Sequence, residues 1–209
     1  PAYGSARGLR SPRNLARPTL GAYLQAQIPG AKVASVSAKD RAAIGKGGRS
    51  NGSVLWWDKL GAGFVTSTWY ADSLPSWVNE WNATWLERAG GWEWVPSLPD
   101  NVEELGTAPD KRPGERPFGT RGTELPYTLG DSSSPARLAG EVYQTPLVDR
   151  FTAEMGRAAL RELGLGMDDA TDLLAMSFSG CDVVGHGFGP YSREVTDLLL
   201  RLCGELGAL

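Results

Sequence analysis

A chain of 209 residues can enclose one sizeable hydrophobic core, or part of a larger one. Its 41% hydrophobic and 22% charged residues are ordinary for a globular protein, and a formal net charge of −3 offers no basic field to attract nucleic acid. No apolar run approaches the length that spans a bilayer, and the two cysteines, Cys181 and Cys203, make neither a disulfide framework nor a paired zinc motif.

In chain order, residues 1–17 are rich in glycine, arginine and proline and read as a loop. Pro18-Thr19 opens a helix with Leu20, Tyr23 and Leu24 on one face, and Pro29-Gly30 stops it. KVASVS, 32–37, is β-prone, and AKDRAAIGKGG behind it reads as a strand-to-helix junction ending in glycines. SVLWWD, 53–58, and GFVTSTWY, 63–70, flank the turn-rich KLGAG and predict an antiparallel hairpin. SWVNEWNATWLERA then carries Trp77, Trp81 and Trp85 at helical spacing, a stripe that reads as core packed on the hairpin.

From 91 to 144 proline, glycine, serine and acidic residues dominate, among them Asp100, Glu103, Glu104 and Asp110, whose run reads as a solvated face. This stretch is expected to be a loop-rich insertion in one domain that covers 1–209, not a domain of its own. Thr145-Pro146 opens a long amphipathic helix with Leu147, Phe151, Met155, Ala159 and Leu163 on its buried stripe. A short apolar run, 173–178, reads as a strand buried on both faces, and SREVTDLLLRLCGELGAL as a last helix. Helix, strand and helix in this order predict a layered α/β sheet. The first residue is Pro1, the last helix runs to the final residue, and there is a single histidine, so the chain is expected to be an internal piece of a longer protein.

Two places carry chemistry. After the apolar strand come Asp182 and His186, four residues apart among Gly185, Gly187 and Gly189, which reads as a tight ligand-bearing turn at a strand's carboxyl end. A carboxylate and an imidazole there can address one cation, and oxygen with nitrogen suits zinc better than magnesium or calcium. On spacing alone the same residues read more readily as a turn cap and a hydrogen-bonded core histidine. Lys39 and Arg41 follow the KVASVS strand and could grip a phosphate, the arginine as a planar fork and the lysine as a point charge. They could also be the solvated start of a helix.

SVSAKDRAAI, WWDKLGAGFVTSTWYADSLPSWVNEWN and SFSGCDVVGHGFGPYSREV together resemble the alkaline phosphatase superfamily, most closely the single-chain bacterial alkaline phosphatases related to nucleotide pyrophosphatase/phosphodiesterases. SPRNL resembles the family's lead-in, and the likeness runs in order over about 11–202, weakest across the insertion. The resemblance implies a mixed, largely parallel sheet between helices, with the hairpin and insertion as a cap. It also implies that Asp182 and His186, in Asp-x-x-Gly-His, hold one of two zinc ions, and that Lys39 and Arg41 contact phosphoryl oxygens as in the monoesterase branch. The implied activity is hydrolysis of small phosphate monoesters through a covalent phospho-enzyme, in a periplasmic or secreted protein. A phosphodiesterase or nucleotide pyrophosphatase, or a catalytically dead metal- or phosphate-binding module, is the alternative. The family's nucleophile and remaining metal ligands match nothing in this chain, which alone is expected to be inactive and to bind zinc poorly. Gly48-Arg49 replaces a usual Gly-His, and Cys203 stands where relatives often carry an acid; neither is an implied ligand.

Overall fold

Residues 2–3, 10–99 and 101–209 are described by a computed structural model. In chain order the elements are β1 (Ala2–Tyr3), α1 (Leu20–Gln27), β2 (Val33–Ser37), α2 (Asp40–Gly47), β3 (Ser53–Asp58), β4 (Gly63–Ser67), α3 (Ser76–Asn82) and α4 (Trp85–Ala89). β5 (Glu93–Trp94), β6 (Tyr127–Thr128), α5 (Pro135–Val142), α6 (Leu147–Glu162), β7 (Leu173–Ser177), α7 (Gly180–Phe188) and α8 (Arg193–Gly207) follow. A five-stranded sheet runs in the order β1-β4-β3-β2-β7, with β2 parallel to both β3 and β7 and the β3–β4 and β4–β1 pairs antiparallel. This is the mixed α/β sheet expected, but with two of its four strand pairs antiparallel it is not largely parallel, and the β3–β4 hairpin is part of the sheet and not a cap over it. The hairpin is in place, closed around Asp58↔Gly63, where Gly63 at φ 80° takes a backbone conformation that side chains disfavour.

β2 sits at the centre and all five of its residues are buried. Helix α2 packs on one face of the sheet and α6 on the other. On the α2 side Ala43 and Ile44 meet Val54, Trp56 and Val65. On the α6 side Phe151 and Met155 join Val36, Leu55, Trp57 and Phe64 in the main core. Alternation along β3 therefore sends its two indoles to opposite faces. The tryptophan stripe is core, as its spacing predicts: Trp57 meets Trp85 edge-on at 5.0 Å, and Trp81 meets Phe151 at 5.0 Å. The single helix expected there is two. Asn82 turns from the helix so that its side-chain oxygen accepts from the Phe64 amide and its NH2 donates to the Phe64 carbonyl, both at 2.8 Å, and the Thr84 hydroxyl donates to the Trp81 carbonyl at 2.9 Å.

Several expectations are corrected. The apolar face of α1 is not buried: Leu20 and Tyr23 are exposed, and the helix meets the sheet through Gly21, where an added Cβ would lie 2.9 Å from Val33 Cγ1. β7 is touched by helices on both faces but is half-exposed along its length, because it ends the sheet and pairs only with β2 among the described residues. The first segment is not all loop, since Ala2 and Tyr3 pair with β4; Pro1 and residues 4–9 lie outside the described residues. In the acidic run, Asp100 and the side chain of Glu103 lie outside the described residues, Glu104 is exposed, and Asp110 departs from the solvated face expected: it is half-buried and accepts from the Leu125 amide at 3.3 Å.

Residues 91–144 contain two short strands and helix α5, which starts with proline at its first position. Their apolar residues belong to the main core: Trp94, Phe118, Tyr127, Leu129 and Leu138 are buried in it. Polar anchors fasten the stretch to α7 and α8. Trp94 Nε1 donates to Asp197 at 2.6 Å, the Tyr127 hydroxyl to Glu194 at 2.7 Å, and the Arg116 amide to the Gly187 carbonyl at 2.8 Å.

Replacing Phe151 by alanine removes the ring on which Trp57 and Trp81 close, and is expected to lower unfolding free energy by about 3–5 kcal/mol in urea denaturation. Burial raises the Glu194 pKa from 4.5 to about 7, helped by Asp110 and Glu115 and opposed by the Tyr127 hydroxyl. The folded chain thus holds a proton that the unfolded chain has released, so stability falls as pH rises between 4.5 and about 7. Glu194→Gln keeps an acceptor for Tyr127 and is expected to flatten this fall by about 1–3 kcal/mol across that window. A slope remains, because burial also raises Asp149, to about 6.

Candidate functional site

Parallel pairing brings the two chemical stretches to one edge of the sheet. Ser37 of β2 lies opposite Ser177 of β7, so both strands deliver their carboxyl ends to the same place. Lys39 leaves one of them and Asp182 the other. The Lys39 ammonium is ion-paired with Asp182 Oδ2, and Asp182 Oδ1 lies 3.4 Å from His186 Nε2. Three of the four residues singled out in the sequence are therefore linked through Asp182, across 143 positions of chain in the case of Lys39 and Asp182.

Asp182 and His186 do not lie on a loop. The Val183 amide donates to Ser179 at 3.1 Å and the Gly189 amide to Gly185 at 2.9 Å, so the stretch is helical. Each glycine costs a helix about 1 kcal/mol, which burial of Val184 and Phe188 offsets. Of the three glycines, only Gly189, at φ 92°, uses its backbone freedom, to end the helix. The i, i+4 spacing puts carboxylate and imidazole on one exposed face, 55% and 78% exposed, so neither is a core residue.

Arg41, in the first turn of α2, is exposed and its guanidinium makes no ion pair among the described residues. With Lys39 it lines a polar cavity of about 140 Å³ whose wall includes Arg10, Asp40, Trp57, Asp58, Lys59 and Tyr143. Arg10 is ion-paired with Asp40, and the Lys59 ammonium lies 3.4 Å from the centre of the Tyr143 ring. Lys39 belongs to both halves of the site, facing Asp182 on one side and the cavity on the other.

Residues the motifs did not reveal hold this arrangement. The buried Ser37 hydroxyl donates to the Ser177 carbonyl at 3.1 Å and accepts from the Lys39 amide at 3.1 Å, tying β2, β7 and the start of α2 together. Asp149 of α6, also buried, accepts from the Ser179 and Gly180 amides. The signal for both is polarity where packing calls for apolar side chains: such groups persist when a hydrogen bond needs them.

The donor set fits part of a zinc centre. Two ligands bound at ~2.0–2.2 Å on a tetrahedral ion stand about 3.3–3.5 Å apart, and Asp182 Oδ1 and His186 Nε2 are 3.4 Å apart. No group of three or more histidine, cysteine, aspartate or glutamate side chains is arranged to hold a metal among the described residues. Nor is any helix among them long and apolar enough to cross a membrane.

In its mixed sheet clasped between helices this chain shares the architecture of the alkaline phosphatase superfamily. No family model matches it. It is 37% identical over 205 residues to alkaline phosphatase PhoV of Synechococcus elongatus and 35% identical over 210 residues to alkaline phosphatase PafA of Elizabethkingia meningoseptica, covering 97% and 95% of this chain. The crystal structure of wild-type PafA superposes with a TM-score of 0.85 at 33% identity over 99% of this chain, and that of a PafA variant with four substitutions gives 0.86. The chain spans 37% of the length of PhoV and of PafA, and 41% of the crystallised PafA chain.

Lys39, by its hydrogen bond and its charge, holds the Asp182 carboxyl below the usual range, with a smaller contribution from His186. In a Lys39→Met chain Asp182 is expected to titrate closer to 3.8, which carbon-13 NMR of the carboxyl group would read. An unchanged titration would mean that the ion pair does not form in solution.

Proposed function

We propose that these residues are part of a zinc-dependent phosphatase that hydrolyses small phosphate monoesters. The observation that carries the reading is the Lys39–Asp182 ion pair beside His186, with Arg41 on the neighbouring turn. Phosphoryl transfer makes little covalent demand on the protein and much demand for placed positive charge. Lys39 and Arg41 would meet the non-bridging phosphoryl oxygens, the arginine in a planar fork and the lysine as a point charge. Lys39 would exchange its partner Asp182 for the substrate, leaving that carboxylate for metal. A zinc ion held in part by Asp182 and His186 would act as a Lewis acid toward a phosphoryl or leaving-group oxygen.

Two findings support the reading besides geometry. The relatives of this chain are named alkaline phosphatases. The PafA variant that superposes on it replaces, among its four positions, a lysine and an arginine two residues apart, the spacing of Lys39 and Arg41. The proposal extends to a covalent phospho-enzyme and to a periplasmic or secreted location. It assigns the nucleophilic hydroxyl and the further zinc ligands to parts of the protein outside these 209 residues.

In a full-length protein, Lys39→Ala and Arg41→Ala are each expected to lower kcat/KM for a phosphate monoester by about 10²-fold or more. A diester, with one fewer free oxygen, should lose much less. Assaying p-nitrophenyl phosphate against its bis-ester decides the matter: equal losses would refute monoester selectivity, and a wild-type preference for the diester would favour a phosphodiesterase. The 209-residue chain alone is expected to turn over neither ester. Robust hydrolysis by it would refute the assignment of the nucleophile.

A further inference from the structure

Helix α7 has no cap of its own: the Ser179 side chain at its N-cap makes no capping hydrogen bond. Its first donors are satisfied from another element. Asp149, in the first turn of α6 and only 2% exposed, accepts from the Ser179 amide at 2.9 Å and from the Gly180 amide at 3.0 Å through Oδ1, and again from Gly180 at 3.2 Å through Oδ2. The approach is so close that no side chain fits at Gly180. An added Cβ would stand 2.4 Å from Asp149 Oδ2 and 2.9 Å from Leu198 Cδ1.

A buried carboxylate that makes no ion pair among the described residues is a costly way to fill a core position. Burial pushes its pKa up to about 6 even though two amides pull the other way. An apolar residue would spare that cost but leave the Ser179 and Gly180 amides without this acceptor, so what the position requires is an acceptor for the start of α7 and not packing. What the carboxylate supplies is direction. It holds the positive end of the α7 dipole, and it fixes where the chain leaves β7 and in which sense the helix starts. Asp182 and His186 lie in the two turns that follow. Across the junction, Ser37 fixes the start of α2 and with it Lys39. The two ends of the site thus depend on one hydroxyl from β2 and one carboxylate from α6.

We infer that Asp149 is a positioning residue for the proposed metal site: by holding the first amides of α7 it sets Asp182 and His186 in register for one cation. The inference rests on the metal reading given above. Groups that orient metal ligands without touching the metal change its affinity by about 10–100-fold when removed.

The single histidine makes the test direct. Ring signals of His186 are followed by NMR in the 209-residue chain while zinc ion is added. The unsubstituted chain is expected to show weak, saturable shifts. Asp149→Ala should weaken the apparent affinity by about 10-fold or more, and Asp149→Asn, which keeps an acceptor oxygen, by less. Met155→Ala removes a fully buried side chain from the same helix and serves as the control for general loosening; its affinity should stay within about twofold of the unsubstituted chain. Unchanged affinity in both position-149 variants would overturn the inference, as would a loss in Met155→Ala equal to that in Asp149→Ala. If Asp149→Ala fails to fold, shown by collapsed amide dispersion, Asp149→Asn decides alone: weaker zinc binding upholds the inference and unchanged binding overturns it. His186 signals that ignore zinc in the unsubstituted chain would defeat the metal reading itself, a failure seen before any substitution at 149.

Discussion

Parallel pairing of β2 with β7 is the constraint from which the site follows. Because the two strands run the same way and in register, Ser37 opposite Ser177, the turns that leave them emerge side by side. An antiparallel pair would have sent Lys39 and Asp182 to opposite ends of the sheet. The contact between them is partly exposed, and such pairs contribute little to stability, about 0–1 kcal/mol. Its interest lies in place: a cation and an anion with separate tasks are held where each can find another partner.

The core that supports this pairing is uneven. On the α2 side it is small, built around Ala43, Ile44, Val54, Trp56 and Val65. On the α6 side it is large and aromatic, and it draws in residues from the stretch between 91 and 144. That stretch reaches α7 and α8 through Gly187, Glu194 and Asp197, so the helix bearing His186 is held at its start by Asp149 of α6 and near its end by the inserted stretch. Local order at the site is in this sense a property of the whole core.

Much of this was legible in the sequence where local chemistry decides. The hairpin, the central strand, α6 and α8 follow from turn residues and apolar period, and Lys39, Arg41, Asp182 and His186 stood out by type and spacing. Position within the sheet was not legible, since nothing within 173–178 says whether the strand is central or marginal, and an apolar run looks the same in both places. The form of α7 was misread because its glycines signal a loop, while the burial that makes it a helix comes from residues far away in sequence. Leu20 and Tyr23 share a face, yet the sheet chose Gly21, where backbone can approach Val33. α5 was missed although Ser134-Pro135 and the spacing of Leu138, Ala139 and Val142 mark a helix start and a buried face. Ser37 and Asp149 are ordinary residues until the partners they satisfy are known.

The marginal position of β7 has a practical side. Its outer border presents amides and carbonyls of a Leu-Leu-Ala-Met-Ser segment without the lysine, proline or bulge by which proteins blunt such borders. The nearest charge, Asp172, is turned away, accepting from the Lys32 and Gly166 amides. Among the described residues this rim is unpaired, and an unpaired apolar rim is a template on which a further strand can add.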